Sequence, residues 1–428
     1  MSALIVLACL IGLVMINVPI AVAIGSVALV GMVATSGIDA IYNAALSMFE
    51  GGSKFTLLSI PLFVFAGALM NTGGISLRLI NFVSAIVGFV RGGLSMVNVG
   101  VSMIFAEISG SAVADVAALG SILIPAMKKR GYSASFSAAV TSSSASLAVI
   151  IPPSLPMIIY GAMADVSISQ LFVAGIVSGL LGAAGMFGVC YYYAVKYNLP
   201  RENAFSLRKL WIAFKDAFWA LTLPFAILGG ILSGFMTATE AAGIAVLLAL
   251  VISVFIYREM DLKLFYKAAM EGVTGTSVVM LLVATSAVLG LFLTEQEVPQ
   301  TMAAGILSIS ENKYVVLMML NVMLLIVGIF LHGAAAIILT VPIVLPLIHE
   351  LGIDPIHFGI MLALNISIGQ QTPPVASVLI TACSIAKRDI WQVTKVNALF
   401  IGVLFIVLLL ATYVPALSVG FVDYIYNK

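Results

Sequence analysis

Residues 142–156 read SSSASLAVIIPPSLP. Ser142, Ser143, Ser144 and Ser146 precede a double proline, Pro152-Pro153, within an apolar segment that otherwise has the length of a membrane helix. Proline removes a backbone N–H and clashes with the carbonyl one turn earlier. In hydrocarbon an unpaired carbonyl costs several kcal/mol, so irregular backbone survives only inside protein or beside a polar cavity. The stretch therefore predicts a broken helix. The carbonyls near Ala148 and Val149, with the serine hydroxyls, would form a cage of hard oxygen ligands suited to a small hard cation.

Composition supplies the membrane. The chain is 62% hydrophobic and 9% charged, with a mean hydropathy of +1.20, whereas soluble domains are about 25% charged. One soluble core of 428 residues cannot bury this much apolar surface, so a lipid bilayer must cover the rest. The net charge of +1 gives no electrostatic footprint for nucleic acid. Cys9, Cys190 and Cys383 fit no metal-ligand spacing and no disulfide framework, and read as small apolar packing residues. The first basic residue is Lys54. The first apolar run thus lacks the basic n-region of a cleaved signal and is read as structure.

A span needs about 20 apolar residues. Spans are predicted at 3–17, 20–36, 55–73, 134–162 and 170–195, and again at 217–235, 241–257, 276–294, 356–383 and 396–415. Amphipathic stretches at 38–53 and 259–274 are expected along the interface. Residues 196–216 form the most polar connection and divide the halves. Segments 92–130 and 313–350 are apolar but interrupted, by Ser109-Gly110-Ser111 and by His332-Gly333. Each is either two spans or one re-entrant hairpin with its tip at mid-membrane.

An internal repeat favours hairpins. A shift of 221 residues, read directly from the numbering, lays Pro125 on Pro346, Gly131 on Gly352, Ser146 on Ser367, and Pro152-Pro153 on Pro373-Pro374. It also lays Ser144 on Asn365 and Ser111 on His332. Repeats of this kind mark many transporters. Lys128-Lys129-Arg130 ends the first hairpin, while His349-Glu350-Leu351 ends the second. Basic residues favour the cytoplasm, so the copies are expected to be inverted, each with about five spans and one hairpin. Residues 196–216 and Lys387-Arg388 then lie inside; Glu295, Glu297 and both termini lie outside, with Lys54 and Lys313 as exceptions to the charge rule.

The second break is Asn365-Ile366-Ser367-Ile368-Gly369-Gln370-Gln371-Thr372 before Pro373-Pro374. Each break is expected to face the tip of its own hairpin. The predicted cation ligands are Ser109, Gly110, Ser111, Asp115, Ser146, Val149 and Pro152 in the first copy, and Gly333, Gly369, Gln370 and Thr372 in the second. Ser143, Ser144, Pro153, Asn365 and Thr372 are candidates for substrate contact, with Ser144 and Asn365 open between ion and substrate. Asp115 is a candidate for the ion site or for capping the half-helix after the tip; Glu107 reads as a structural pair. Ala336 stands where the second copy would have its Asp115, so the two sites are unequal. Thr237-Ala238-Thr239-Glu240 reads as a capping box opening the next span. His332, His349 and His357 share no ligand spacing, and no nucleophile set or nucleotide-binding loop is evident. An ion channel, an intramembrane enzyme, and a proton-driven carrier using Asp115 are the rivals.

SIPLFVFAGALM (59–70), SGSAVADVAALGSILIPAM followed by KKRGY (109–132), AVIIPPSLPMIIYG (148–161), TATEAAGIAVL (237–247) and IGQQTPPV (368–375) resemble the large membrane subunit of tripartite ATP-independent periplasmic (TRAP) transporters over nearly the whole chain. Ala238 stands where that family more often has proline. The resemblance implies an elevator-type, all-α polytopic membrane protein of the bacterial inner membrane. It implies a separate small four-helix membrane subunit and a periplasmic solute-binding protein as partners. It further implies import of an organic acid, of the sialic acid or C4-dicarboxylate class, driven by Na+. By the same likeness, 92–195 and 313–415 would form the transport domain and 1–91 and 217–312 the scaffold, with 416–428 a tail.

Overall fold

The computed structural model describes residues 9, 10, 12, 13, 16, 18–109, 111–201, 205–331 and 333–426, without the side chains of 106–109. Apart from an isolated bridge between Arg91 and Arg201, all regular structure among the described residues is helical. The chain is a multi-pass membrane protein: eight helices are long and apolar enough to cross a bilayer, and several shorter apolar ones accompany them.

In chain order the helices are α1 (Ile20–Ser36), α2 (Ala40–Gly52), α3 (Ser59–Thr72, entered through a 3-10 turn Phe55–Leu58), α4 (Ile75–Val87), α5 (Gly93–Ser109) and α6 (Ala112–Lys129). Then come α7 (Ala134–Ala145, ending in a 3-10 turn Ser146–Val149), α8 (Leu155–Ala164), α9 (Ile168–Lys196) and α10 (Leu207–Leu232). The second copy follows as α11 (Ala238–Val251, running on as a π-helix to Ile256), α12 (Leu262–Glu295), α13 (Val298–Leu307), α14 (Lys313–Phe330) and α15 (Gly333–Glu350). It closes with α16 (Pro355–Gly369), α17 (Ser377–Ala386), α18 (Ile390–Tyr413) and α19 (Val419–Tyr426).

The 221-residue shift carries α6 onto α15 end to end, and α1, α4, α5, α7, α8 and α9 onto α11, α13, α14, α16, α17 and α18 within a few residues. The interrupted segments 92–130 and 313–350 are paired half-length helices, α5–α6 and α14–α15, and the double-proline segments are the broken helices α7–α8 and α16–α17. Lys54 Nζ reaches the Ala162 carbonyl at the end of α8, at 2.7 Å. Lys128 Nζ reaches the Ala386 carbonyl at the end of α17, at 3.4 Å. The broken helix α7–α8 starts beside Lys128–Arg130 and finishes beside Lys54, so the ends of α8 and α17 lie on opposite faces. The copies are inverted.

Three boundaries differ from expectation. Residues 259–274 do not form a separate interfacial helix: α12 runs unbroken for 34 residues, because no Gly-Pro or Gly-Gly breaker interrupts it. Its mate is interrupted at Gly51-Gly52-Ser53-Lys54, which separates α2 from α3. Helix α10 begins at Leu207, not 217, with Ser206 as its cap. Short helices α4, α13 and α19 occupy stretches given no element from sequence. The predicted span at 3–17 lies mostly outside the described residues.

Two groups of helices result. Helix α12 packs against α1, α2 and α3, α3 against α11, and α10 against α4 and α11. Helix α7 packs against α5, α6, α17 and α18, and α16 against α14 and α18. The inter-repeat packing is reciprocal: α6 lies on α17 and α15 on α8. Each hairpin's return arm therefore covers the far half of the other copy's broken helix.

Candidate functional site

Both double prolines stop a helix midway along its apolar segment, and both Pro-Pro bonds are cis. Leu147's carbonyl accepts from the N–H groups of Ile150 (2.9 Å) and Ile151 (2.7 Å). Val149's carbonyl accepts the Ser154 hydroxyl at 2.7 Å, and Ser154 in turn caps α8. In the second break Ile368's carbonyl takes the Thr372 hydroxyl at 2.9 Å and the Gln371 N–H at 3.0 Å. Gly369's carbonyl takes the Thr372 N–H at 3.0 Å and Gln370's takes the Val378 N–H at 3.3 Å. These carbonyls are thus not bare, as the sequence had suggested. Each carbonyl oxygen has two lone pairs, so the bonds orient the breaks without exhausting their acceptors.

The serines are buried and shared between elements. Ser142 donates to Gln371 Oε1 at 2.8 Å, and Gln371 Nε2 donates back to the Ser142 carbonyl. Asn397 Nδ2 also donates to Gln371 Oε1, at 3.1 Å, and Asn397 Oδ1 accepts from Ser143. A closed polar ring therefore joins α7, the second break and α18. Ser144 bonds Ser102 (2.9 Å) and Asn98 (3.3 Å) on α5, while its repeat mate Asn365 donates to Asn321 on α14 at 2.7 Å. Each thus ties its broken helix to the first arm of its own hairpin. Ser146 donates to the Ser143 carbonyl at 2.7 Å. Its own carbonyl accepts from Ser367, the residue that the repeat places on it, at 3.0 Å. The two breaks therefore touch at equivalent residues.

The second hairpin tip meets its own break: a Cβ on Gly333 would lie 2.6 Å from Gln370 Nε2 and 3.3 Å from Ile366 Cγ2. Close to the tip, a Cβ on Gly369 would lie 2.6 Å from Gly328 Cα and 2.7 Å from its carbonyl oxygen, so backbone meets backbone where α14 crosses α16. For the first tip, Gly110 and the side chains of Ser109 and Glu107 lie outside the described residues, as does His332. Ser111 caps α6, accepting from the Ala114 N–H at 3.5 Å, and Asp115 sits buried in the first turn. Ser111 is the N-cap residue of α6, and Asp115 lies in its first turn, the place expected of a capping carboxylate. Thr237 and Glu240 form the expected capping box.

The two breaks differ in cover. Pro152, Pro153 and Ser154 are buried, whereas Pro374 and Val375 are exposed. On α6 the stripe Ala114, Ala117, Ser121, Ile122 and Pro125 is uncovered, but the mates of Ala114 and Ala117, Ala335 and Ile338 on α15, are buried. Helix α15 packs on α12 and α13, and α8 packs on the Phe55–Leu58 turn and α3.

The family model described as "Tripartite ATP-independent periplasmic transporter, DctM component" matches residues 7–417. The chain belongs to the DctM family. It is 40% identical over 407 residues to the isethionate TRAP transporter permease protein DctMQ of Oleidesulfovibrio alaskensis, covering 95% of this chain but 64% of that longer protein. It is 37% identical to the C4-dicarboxylate large permease of Pseudomonas aeruginosa, covering 89% and 90%. It is 36% identical to the sialic acid large permease SiaM of Vibrio cholerae, covering 94% of each. These DctM relatives are named as permeases, which sets aside the enzyme reading. The Alcanivorax borkumensis YdaH transporter shares the fold, with a TM-score of 0.62 at 15% identity over 90% of both chains.

Sequence reading of this DctM chain missed Asn98, Asn321 and Asn397. The signal was available: lone amides within long apolar runs are costly in a membrane and face protein partners.

Proposed function

We propose that the chain is the permease of a sodium-coupled importer in a bacterial inner membrane. It takes a small organic acid of the sialic acid or C4-dicarboxylate class from a periplasmic binding protein, and works beside a separate small four-helix membrane subunit. The relatives named for isethionate, C4-dicarboxylate and sialic acid support the substrate class. The opposed hairpin tips and half-helices supply oxygen acceptors for a hard cation and N-terminal partial positive charge for a carboxylate.

The observation that carries the reading is the unequal cover of equivalent surfaces. The α8 and α15 surfaces lie under α3, α12 and α13, while, at their repeat mates, Ala114 and Ala117 on α6 and Pro374 and Val375 before α17 are exposed. Two inverted copies in unequal surroundings are what an alternating-access carrier would present in one of its two states. In the elevator reading, hairpins and broken helices (92–195 and 313–415) move as a unit against the remaining helices (1–91 and 217–312). The positive-inside rule puts the uncovered surfaces toward the cytoplasm, because Lys128–Arg130 and Lys387-Arg388 share that face. On this reading the chain is in an inward-facing state.

Uptake into proteoliposomes containing both membrane subunits, with the binding protein outside, tests this. Sodium and proton gradients are imposed separately across a panel of organic acids. Sodium-dependent, saturable uptake requiring the binding protein is expected. Uptake driven by protons alone would move the coupling to Asp115, and non-saturable flux without the binding protein would indicate a channel.

A further inference from the structure

Asn98, Gln371 and Asn397 have hydrogen-bond partners at both ends of their amides, and so does Asn321. Asn365 differs. It is fully buried, and its Oδ1 has no donor among the described residues. Buried acceptors nearly always find a partner, and an exception points to a ligand, ion or water.

The orientation of that amide is fixed by a relay reaching back to α18. Thr412 donates its proton to the Leu408 carbonyl at 2.7 Å, leaving its oxygen as an acceptor. Asn321 Nδ2 donates to that oxygen at 2.9 Å, which turns Asn321 Oδ1 toward α16. Asn365 Nδ2 donates to Asn321 Oδ1 at 2.7 Å and to the Met361 carbonyl at 2.8 Å. Both of its N–H groups are consumed. A flip of Asn365 would set its oxygen against two others, so Oδ1 is held as the outward atom. At the equivalent position of the first copy Ser144 bonds to Asn98 and Ser102.

We propose that Asn365 Oδ1 is a ligand for a transported monovalent cation, and that Asn321 and Thr412 are positioning residues that hold it there. This rests on the cation-coupled reading above and adds two residues with no place in either predicted site. An amide oxygen repels a carboxylate and suits a hard cation, which favours the ion over the substrate's carboxylate as the partner of Asn365.

The test is thermal stabilisation of the purified protein in nanodiscs, titrated with sodium chloride against choline chloride at constant ionic strength. Thr412→Val keeps the shape and removes the acceptor. It should raise the sodium midpoint about tenfold or more, the scale of one lost charged-group contact. Thr412→Ser should restore the midpoint, which a purely packing role would not. Should Thr412→Val fail to fold, Asn321→Ser carries the same expectation. A wild-type midpoint in the folded variant, or no sodium effect in the wild type, overturns the inference. The uptake assay separates the two claims. Proton-driven uptake with a Thr412-sensitive sodium shift sinks the coupling alone. Sodium-driven uptake with a Thr412-insensitive shift sinks only this inference.

Discussion

Ser142, Ser143, Gln371 and Asn397 show how few polar atoms decide the position of a broken helix in this chain. All four residues are buried, and their ring closes between segments more than 200 residues apart in sequence. Asn397→Leu would leave the Ser143 hydroxyl without its acceptor and remove one donor from Gln371. Each orphaned buried group costs about 1–3 kcal/mol, so the melting temperature in detergent should fall clearly. Because the four share one network, Ser143→Ala combined with Asn397→Leu should cost less than the sum of the two single changes. Strict additivity would mean that the ring does not act as a unit.

At the scale of elements, the contact of Gly328 with Gly369 sets the approach of α14 to α16. Gly369→Ala must push two backbones apart, since the neighbours of the new Cβ are main-chain atoms. Overpacking of this kind costs about 1–3 kcal/mol, and here it would also move the second break away from its hairpin tip, so transport should fall more than stability. Gly243→Ala is the matched control: a Cβ there meets nothing within 4 Å, and uptake should stay at the wild-type level. Much of this level was legible in the sequence, because prolines and glycines at one spacing marked the breaks and hairpins directly. The unbroken course of α12 was not, since polar residues at 259–274 imitate an interfacial helix and only the lack of a breaker contradicts it. The polar relays were illegible for another reason. Thr412 and Asn321 are 91 residues apart, and no local pattern pairs them.

For the whole molecule, inverted duplication makes a pair of equivalent positions into a reporter of state. Ala114 is exposed while Ala335, its mate, is buried. In a background lacking Cys9, Cys190 and Cys383, Ala114→Cys should react with a membrane-impermeant maleimide applied from the cytoplasmic side, and Ala335→Cys should be protected. Conditions that drive the carrier outward should reverse the pattern. Simultaneous labelling of both under one condition would argue against alternating exposure. The capping box at Thr237 and the ordinary spans would look the same in any polytopic protein. The unequal cover of the two copies is what bears on alternating exposure.

The end of α8 is tied by Lys54, from outside the hairpins, and the end of α17 by Lys128 of the first hairpin, because the repeat places Gly275 where a second Lys54 would stand. If the hairpins and broken helices move as proposed, the Lys54 bond, worth on the order of 1 kcal/mol, would belong to one end of the cycle alone. An empty carrier assembled from such unlike halves does not divide its time evenly between the two sides. On the alternating-access proposal it would idle with its mouth toward one compartment, and whatever arrives from the other would supply the energy of turning it round.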